Sequence, residues 1–227
     1  AGVVQHQRAV VGVLYGGGAL QKILEQPPVT QHTGQAGHQA LSFPLAGTGS
    51  IDHAVQIGAV LRPQGQEIRN YYTLLAFVNE AEDSTRRYYL KRYHLKDEAI
   101  QPLPLRPQNQ AYVDYMLRTA QNADDAADCM MACMPCMLSY GWIFGEMLKN
   151  VPGVQNTPYA RFVNDYAGER YESICKAWEA FTEKVCASIS PEREAHCLEI
   201  FRTCSEHERH FWEMAARPRT DLGGAQA

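Results

Sequence analysis

The chain has 227 residues, 45% of them hydrophobic, and a formal net charge of −4 at pH 7. This is enough apolar material for a globular core, whereas the acidic balance argues against a surface for phosphate-rich partners such as nucleic acids or anionic membranes. No apolar run approaches the ~20 residues that a membrane span needs, so we expect neither a nucleic-acid nor a membrane partner.

Residues 1–66 have a composition unlike that of the rest of the chain. They are rich in Gly and Gln, include Gly16–Gly18 and Pro27-Pro28, and carry only two acidic residues, Glu25 and Asp52. Only short helices are predicted there, at 3–14, 19–24 and 51–61. We therefore interpret 1–66 as an atypical N-terminal segment.

Beyond this segment the pattern becomes helical. A first long helix is predicted from Ile68 to about His94. Three prolines at 102–107 then mark a connector, because Pro and the residue before it resist helix formation. The next helix is predicted over Asn109–Asn122, with an apolar side formed largely by tyrosine and methionine.

The helix that follows contains an unusual proline. Asp124 or Asp125 is suited to cap its beginning, and the helix is predicted to run through Cys136 to about Leu148. Pro135 falls inside it and removes one backbone hydrogen bond, so a kink is expected there.

Three further helices complete the pattern. A short one is predicted to begin at Pro158, with Asn156 or Thr157 as its cap. Two longer amphipathic helices are predicted at Glu169–Ser188 and Pro191–Ala216, the second capped by the serine before it. Strand alternation does not persist anywhere in this half. The sequence therefore predicts an all-α fold, with 1–227 forming a single domain.

Seven cysteines are present, all in the second half of the chain. An odd number without a regular spacing argues against the disulfide framework of a secreted domain. The first 20 residues also lack the basic start and long apolar stretch of a signal peptide. We therefore expect a cytoplasmic protein.

Four sequence blocks carry a family resemblance. They are NQAYVDYMLRTA (109–120), MPCMLSYGWIFGEML (134–148), YARFVNDYAGERY (159–171) and FRTCSEHERHFWEMA (201–215). In this order and spacing they resemble the TenA/thiaminase II family, particularly through P-C-x-x-x-Y and E-x-x-F-W-x-M-A. The resemblance implies a haem-oxygenase-like helical bundle, usually assembled as a homotetramer.

The resemblance also implies an activity. The family hydrolyses aminomethylpyrimidines derived from thiamin, and cleaves thiamin itself, without a metal or an organic cofactor. Carried over by motif position, Cys136 is the expected nucleophile and Glu208 the expected general acid/base. Tyr112, Tyr140 and Tyr166 are expected to line the substrate pocket.

These residue types suit the expected chemistry. Tyrosine offers a flat ring face and a hydroxyl, which together match a polar aromatic pyrimidine. A thiolate can add to the ring and assist departure of the amine, and one carboxyl group can both protonate that amine and deprotonate the incoming water. The four-residue spacing of Cys136 and Tyr140, like that of Cys204 and Glu208, places each pair on one helix face.

An acidic side chain is also needed to hold the ring amine of the substrate. The resemblance implies an Asp on the second helix of the family for this role. Asp52, within SIDHAV, is the only Asp before position 83 and is therefore the expected counterpart. Asn70, within RNYYTLL, can also be aligned with the Asp of the family motif. In that alignment, the segment between Asn70 and Tyr112 is too short for the family's spacing.

Other functions remain open from the sequence. Cys129, Cys133 and Cys136 have a C-x3-C-x2-C spacing, and residues 206–210 include two Glu and two His. Both patterns resemble groups of metal ligands. No further ligands follow at suitable spacing, and we expect no metal. The alternatives are a non-catalytic TenA-like binding or assembly protein that has lost the substrate-holding acid, and a di-iron oxidase of the same fold.

Overall fold

The computed structural model describes residues 84–96, 98 and 103–217. Within these ranges all regular structure is helical, as the sequence predicts. The segment 1–66, with Asp52 and its short helices, lies outside the described residues, as do Asn70 and the first part of the helix predicted from Ile68. The single-domain organisation of 1–227 therefore stays a prediction.

Six α-helices and one 3-10 turn are described. They are α1 (residues 84–92), α2 (Pro107–Gln121), α3 (Ala126–Asn150), the 3-10 turn Val154–Asn156, α4 (Ala160–Ala167), α5 (Glu169–Val185) and α6 (Pro191–Ala215). Between the 3-10 turn and α3, Gly153 has φ of 81°, a left-handed conformation that a residue with a Cβ adopts only at a cost.

Helix α3 is the central element of the described fold. Every residue from Ala127 to Pro135 is buried, and Met130, Met131 and Met134 are completely shielded from solvent. A helix that is apolar on all sides has to be surrounded by others, and α3 packs against α2, α4, α5 and α6. Pro135 lies inside one continuous helix, where it cannot donate the backbone hydrogen bond that its position would otherwise make.

Helices α3 and α6 run side by side in the same direction. Near their beginnings, the Cys197 Sγ lies 3.9 Å from the Asp128 carboxylate, and farther along both helices the Tyr140 and Trp212 rings meet. Helix α2 is antiparallel to α6. Arg106, at the start of α2, hydrogen-bonds the Met214 carbonyl near the end of α6 at 2.8 Å.

Helices α4 and α5 also run opposite to α3. Phe144 of α3 contacts Phe162 of α4, and Tyr140, one turn earlier in α3, contacts Tyr166, one turn later in α4. Tyr171, near the start of α5, donates from its hydroxyl to the Met137 carbonyl at 3.1 Å. The central part of α3 is thus enclosed by antiparallel neighbours and by the parallel α6.

Two predicted helix starts are confirmed. The Asp125 carboxylate accepts from the Ala127 N–H at 2.8 Å at the beginning of α3, and the Ser190 hydroxyl accepts from the Arg193 N–H at the beginning of α6. Each satisfies a backbone donor that has no partner within its helix.

The predicted start of the short helix was wrong. Helix α4 begins at Ala160 and not at Pro158. The Thr157 hydroxyl donates to the Val154 carbonyl at 2.7 Å and so closes the preceding 3-10 turn instead of capping a helix. The cap comes from α1, where the Tyr89 hydroxyl accepts from the Phe162 N–H at 3.1 Å and donates to the Pro158 carbonyl at 3.3 Å.

An ion cluster joins the beginnings of α3 and α6. The Arg193 guanidinium lies 2.9 Å from the Asp128 carboxylate and 3.0 Å from Asp125, while Asp124 and His196 are at the edge of the cluster. The Asp128 side chain is only 3% exposed. A buried carboxylate needs such a partner, so the cluster stabilises the packing of α3 on α6.

Within the described part of the chain, no helix combines the length and the apolar character needed to cross a bilayer. Two exposed large hydrophobic side chains occur there, Leu105 and Leu148, and they lie at a helix connector and near the end of α3.

Candidate active site

Glu208 is a carboxylic acid in the core of the fold. It lies in the second half of α6, and its residue is only 3% exposed. The side chains of Tyr112 on α2 and Cys136 on α3 both lie near its carboxyl group and favour its ionised form. Three helices therefore each place one polar side chain at the same point, inside surroundings that are otherwise apolar.

Burial changes the acidity of Glu208. Desolvation disfavours the carboxylate and raises the pKa of Glu208 from 4.5 to about 7, although hydrogen bonds from the Tyr112 hydroxyl and the Cys136 thiol act in the opposite direction. An acid with a pKa near the working pH can both accept and release a proton at little cost, which is the property required of a general acid/base.

Cys136 differs from most other cysteines of the chain. All seven are free thiols, and only Cys136 and Cys175 are partly exposed. Burial raises the pKa of Cys129 and Cys197 to about 12, which keeps these thiols protonated and unreactive. Cys136 directly follows Pro135 in α3 and is the partly exposed cysteine that contacts a carboxyl group.

Cys175 has a different environment. Its Sγ lies 3.5 Å from the Met137 carbonyl, the same oxygen that accepts from the Tyr171 hydroxyl. These two α5 side chains thus hold the turn of α3 that begins beside Cys136. Cys175 contributes to helix packing there, and it serves below as a matched reference for Cys136.

An aromatic cluster lies one helical turn beyond Cys136 and Glu208. Tyr140 is four residues after Cys136, and Trp212 is four residues after Glu208, so each shares a helix face with its counterpart. The Tyr140 ring is 5.1 Å from that of Trp212 and 5.0 Å from that of Tyr166. The cluster consists of Tyr140, Phe144, Phe162, Tyr166, Tyr171 and Trp212.

The structure brings most of the predicted site residues together. Cys136 and Tyr112 lie near the Glu208 carboxyl, whereas Tyr140 and Tyr166 belong to the adjacent aromatic cluster. The sequence analysis did not single out Phe144 and Phe162. Phe144 follows Tyr140 by four residues, and Phe162 precedes Tyr166 by four. Residues at this spacing share a helix face, so the sequence indicates that both phenylalanines lie beside the tyrosines.

The two candidate metal sites of the sequence are residues 129–136 and residues 206–210. Across 84–96, 98 and 103–217, no group of three or more His, Cys, Asp or Glu side chains is arranged to hold an ion. Glu206 and His210 are exposed, and His207 packs against two tyrosine rings.

Curated relatives match most of the chain. It is 28% identical over 172 residues to an aminopyrimidine aminohydrolase of Halalkalibacterium halodurans, covering 74% of this chain and 76% of the relative. A second relative, an aminopyrimidine aminohydrolase of Helicobacter pylori, is 23% identical, with 70% and 73% of the two chains covered.

Solved structures match the fold. A TenA family transcription regulator from a Silicibacter species superposes with a TM-score of 0.77 at 18% identity, covering 96% of this chain and 98% of the other. A TenA homologue from P. horikoshii superposes with a TM-score of 0.72 at 20% identity, covering 95% and 96%. These neighbours have the haem-oxygenase-like helical fold, and the fold expected from the sequence is thereby confirmed.

The family model described as TENA/THI-4/PQQC matches residues 73–218, which is more than half of the chain. This range contains all of the described helices and every candidate site residue except Asp52. The chain therefore belongs to the TENA/THI-4/PQQC family.

Proposed function

We propose that the protein is an aminopyrimidine aminohydrolase of the thiaminase II type that acts in thiamin salvage. The observation that carries the proposal is the contact of the buried Glu208 carboxyl with the Cys136 thiol and the Tyr112 hydroxyl. Two relatives named as aminopyrimidine aminohydrolases support the same reaction class.

In the proposed reaction, Glu208 first accepts the thiol proton of Cys136, and the resulting thiolate adds to the pyrimidine ring. Electrons move towards the exocyclic methylene carbon, whose bond to the amine breaks, and Glu208 returns its proton to the leaving amine. Water then adds to the methylene carbon while Glu208 takes one of its protons. Departure of the thiolate restores the aromatic ring, and Cys136 recovers its proton.

The tyrosines have a binding role in this proposal. The rings of Tyr140, Tyr166 and Trp212 pack together one turn from Cys136, and aromatic rings suit the binding of a planar heterocycle. Asp52 is proposed to hold the ring amine. The proposal includes a cytoplasmic location, expected from the cysteine pattern, and a homotetrameric assembly, implied by the family resemblance.

Ammonia release from 4-amino-5-aminomethyl-2-methylpyrimidine tests the proposal. Cys136→Ser is expected to abolish turnover, and Glu208→Gln to lower it by about 10²–10⁴-fold, the range of general acid–base catalysis. Cys175→Ser is the matched control, because it replaces the other partly exposed cysteine. Undiminished turnover by Cys136→Ser, or equal losses in both serine variants, contradicts covalent catalysis by Cys136.

A second candidate function is a binding or assembly role without catalysis. The observation in its favour is that one structural neighbour is named as a TenA family transcription regulator. The two candidates differ in a simple measurement. Saturable binding of the pyrimidine to the unmodified protein without any ammonia release supports the second candidate and rules out the first.

A further inference from the structure

The ring of His207 packs against two tyrosines of the neighbouring helix. It lies parallel to the Tyr112 ring, with 5.4 Å between the centroids and 6° between the planes. The Tyr115 ring, one turn farther along α2, is also 5.4 Å away and inclined by 40°. Separations and angles of this kind are those of favourable aromatic pairs.

Tyr112 is therefore contacted at two points by consecutive residues of α6. Its ring face stacks on His207, and its hydroxyl lies close enough to the Glu208 carboxyl to favour the ionised form of that group. Tyr115 also contacts the His207 ring, and its hydroxyl interacts with Thr203 of α6 and Thr119 of α2. From α6, His207 thus contacts the α2 side chain that lies beside the proposed proton carrier.

We propose that His207 is a positioning residue, whose ring holds Tyr112 in the orientation that brings its hydroxyl to Glu208. This inference rests on the proposed function, in which Glu208 carries the proton. His207 itself touches neither Cys136 nor Glu208 through any contact described for the site. It acts through Tyr112.

The physical basis is the rotation of the tyrosine side chain. The Tyr112 hydroxyl lies at the far end of a rigid ring, so a small rotation about the side-chain bonds displaces the oxygen much more than it displaces the Cβ. A flat neighbour in parallel contact restricts that rotation. A displacement of 1 Å at a catalytic contact can lower a rate by about 10²-fold, so the restriction has a measurable consequence.

The charge state of His207 suits this role. It is faced by Tyr112, Tyr115 and Arg118 from α2, and by Glu206 and His210 on its own helix. Burial lowers the pKa of His207 from 6.5, and the nearby His210 and Arg118 add to this, whereas Glu206 opposes it. The ring is therefore mainly neutral at pH 7 and brings no positive charge beside the Glu208 proton.

The kinetic test compares His207→Ala, which removes the ring, with His207→Phe, which keeps a flat ring. His207→Ala is expected to lower kcat for pyrimidine hydrolysis by about 10- to 100-fold, with a smaller change in KM. His207→Phe is expected to remain close to the parent enzyme. The matched control is His210→Ala, an exposed histidine one turn farther along α6, which is expected to leave kcat unchanged.

The decisive comparison repeats the substitution in a Tyr112→Phe background. If His207 acts by orienting the Tyr112 hydroxyl, His207→Ala causes little further loss once this hydroxyl is absent. A merely structural role for His207 gives the same fold loss in both backgrounds and overturns the proposal. An equal loss in His207→Phe and His207→Ala overturns it as well.

A second measurement is independent of turnover. The pKa of Glu208 is followed by NMR of the protein labelled with 13C at the glutamate side-chain carboxyl carbon, and Glu208→Gln identifies the signal. His207→Ala is expected to raise this pKa, because the Tyr112 hydrogen bond favours the carboxylate, and His207→Phe is expected to leave it unchanged. An unchanged or lowered pKa in His207→Ala overturns the inference, whereas absence of pyrimidine turnover in the parent protein overturns the proposed function only.

Discussion

The rings of Tyr140 and Trp212 lie 5.1 Å apart at 49°, one helical turn beyond the contact between Cys136 and Glu208. Because α3 and α6 run in the same direction, the polar pair and the aromatic pair form successive layers between the same two helices. The proposed proton-transfer groups and the proposed ring-binding surface are therefore fixed relative to each other by one helix–helix interface.

Removal of the Trp212 ring tests the importance of this interface. Trp212 is 4% exposed, so Trp212→Ala is expected to lower the free energy of unfolding by about 3–5 kcal/mol, measured by urea denaturation. Trp142 is only partly buried at the edge of the core, and Trp142→Ala is expected to cost less. Equal losses in the two variants disagree with a central position for Trp212.

The buried carboxyl of Glu208 makes stability depend on pH. Its pKa is raised from 4.5 to about 7 in the folded protein, so between these values the folded chain holds a proton that the unfolded chain has released. Stability from this group therefore falls as pH rises through this window. Relative to the parent protein, Glu208→Gln is expected to gain up to about 3 kcal/mol between pH 5 and pH 8.

Urea denaturation of both proteins at the two pH values measures this difference. Glu206→Gln is the control, because Glu206 is exposed and lies on the same helix. Its difference from the parent protein is expected to be the same at both pH values. A stability difference for Glu208→Gln that does not grow with pH rules out a raised pKa for Glu208.

The ion cluster at the beginnings of α3 and α6 gives a third prediction. Arg193→Met keeps the aliphatic part of the side chain but leaves the Asp128 carboxylate, 3% exposed, without its 2.9 Å guanidinium partner. An expected loss of about 3 kcal/mol in unfolding free energy follows from breaking such a buried pair. Thermal and urea denaturation measure it.

Arg202 provides the comparison for Arg193. It belongs to the same helix and pairs with Glu199 at 2.6 Å, but both side chains of this pair are more than half exposed. Arg202→Met is expected to change the unfolding free energy by less than about 0.5 kcal/mol. Similar effects of the two substitutions argue against a stabilising role for the cluster.

Thiol reactivity distinguishes Cys136 from the buried cysteines. In the folded protein, iodoacetamide is expected to modify Cys136 and Cys175, because only these two are partly exposed. Burial raises the pKa of Cys186 to about 11, and that of Cys129 and Cys197 to about 12, so little thiolate is present at these positions. Peptide mapping by mass spectrometry locates the modified residues.

Denaturation in urea before alkylation is the control for this experiment, and all seven cysteines are then expected to react. Modification of Cys129 or Cys197 in the folded protein at the rate of Cys136 contradicts the burial described here. If the fastest-reacting cysteine is missing from the peptide map of Cys136→Ser, that cysteine is Cys136.

Helix positions were predictable from sequence where the decisive interactions are local. Asp125 and Ser190 cap α3 and α6 as predicted, because a short polar side chain at this position needs only the backbone of its own helix. The start of α4 was not predictable in this way. Its cap is the Tyr89 hydroxyl, 73 residues from Phe162 in sequence, and no local pattern at 156–158 contains this information.

The candidate site shows the same division. Four-residue spacing placed Cys136 with Tyr140, and Cys204 with Glu208, each on one helix face, and the family resemblance indicated the roles of Cys136 and Glu208. The approach of α2 to α6 determines two further features of the site. Glu208 is buried, and His207 stacks on Tyr112 instead of facing solvent or a metal. Helix periodicity does not specify this approach.

The Tyr89 hydroxyl has a consequence for how the aromatic cluster assembles. It both donates to the Pro158 carbonyl and accepts from the Phe162 N–H, so the first turn of α4 is complete only once α1 has docked. Tyr166 is carried by that short helix. Assembly of the surface proposed to bind the pyrimidine is therefore coupled to docking of α1. The Phe162 amide hydrogen is expected to exchange with solvent when α1 detaches.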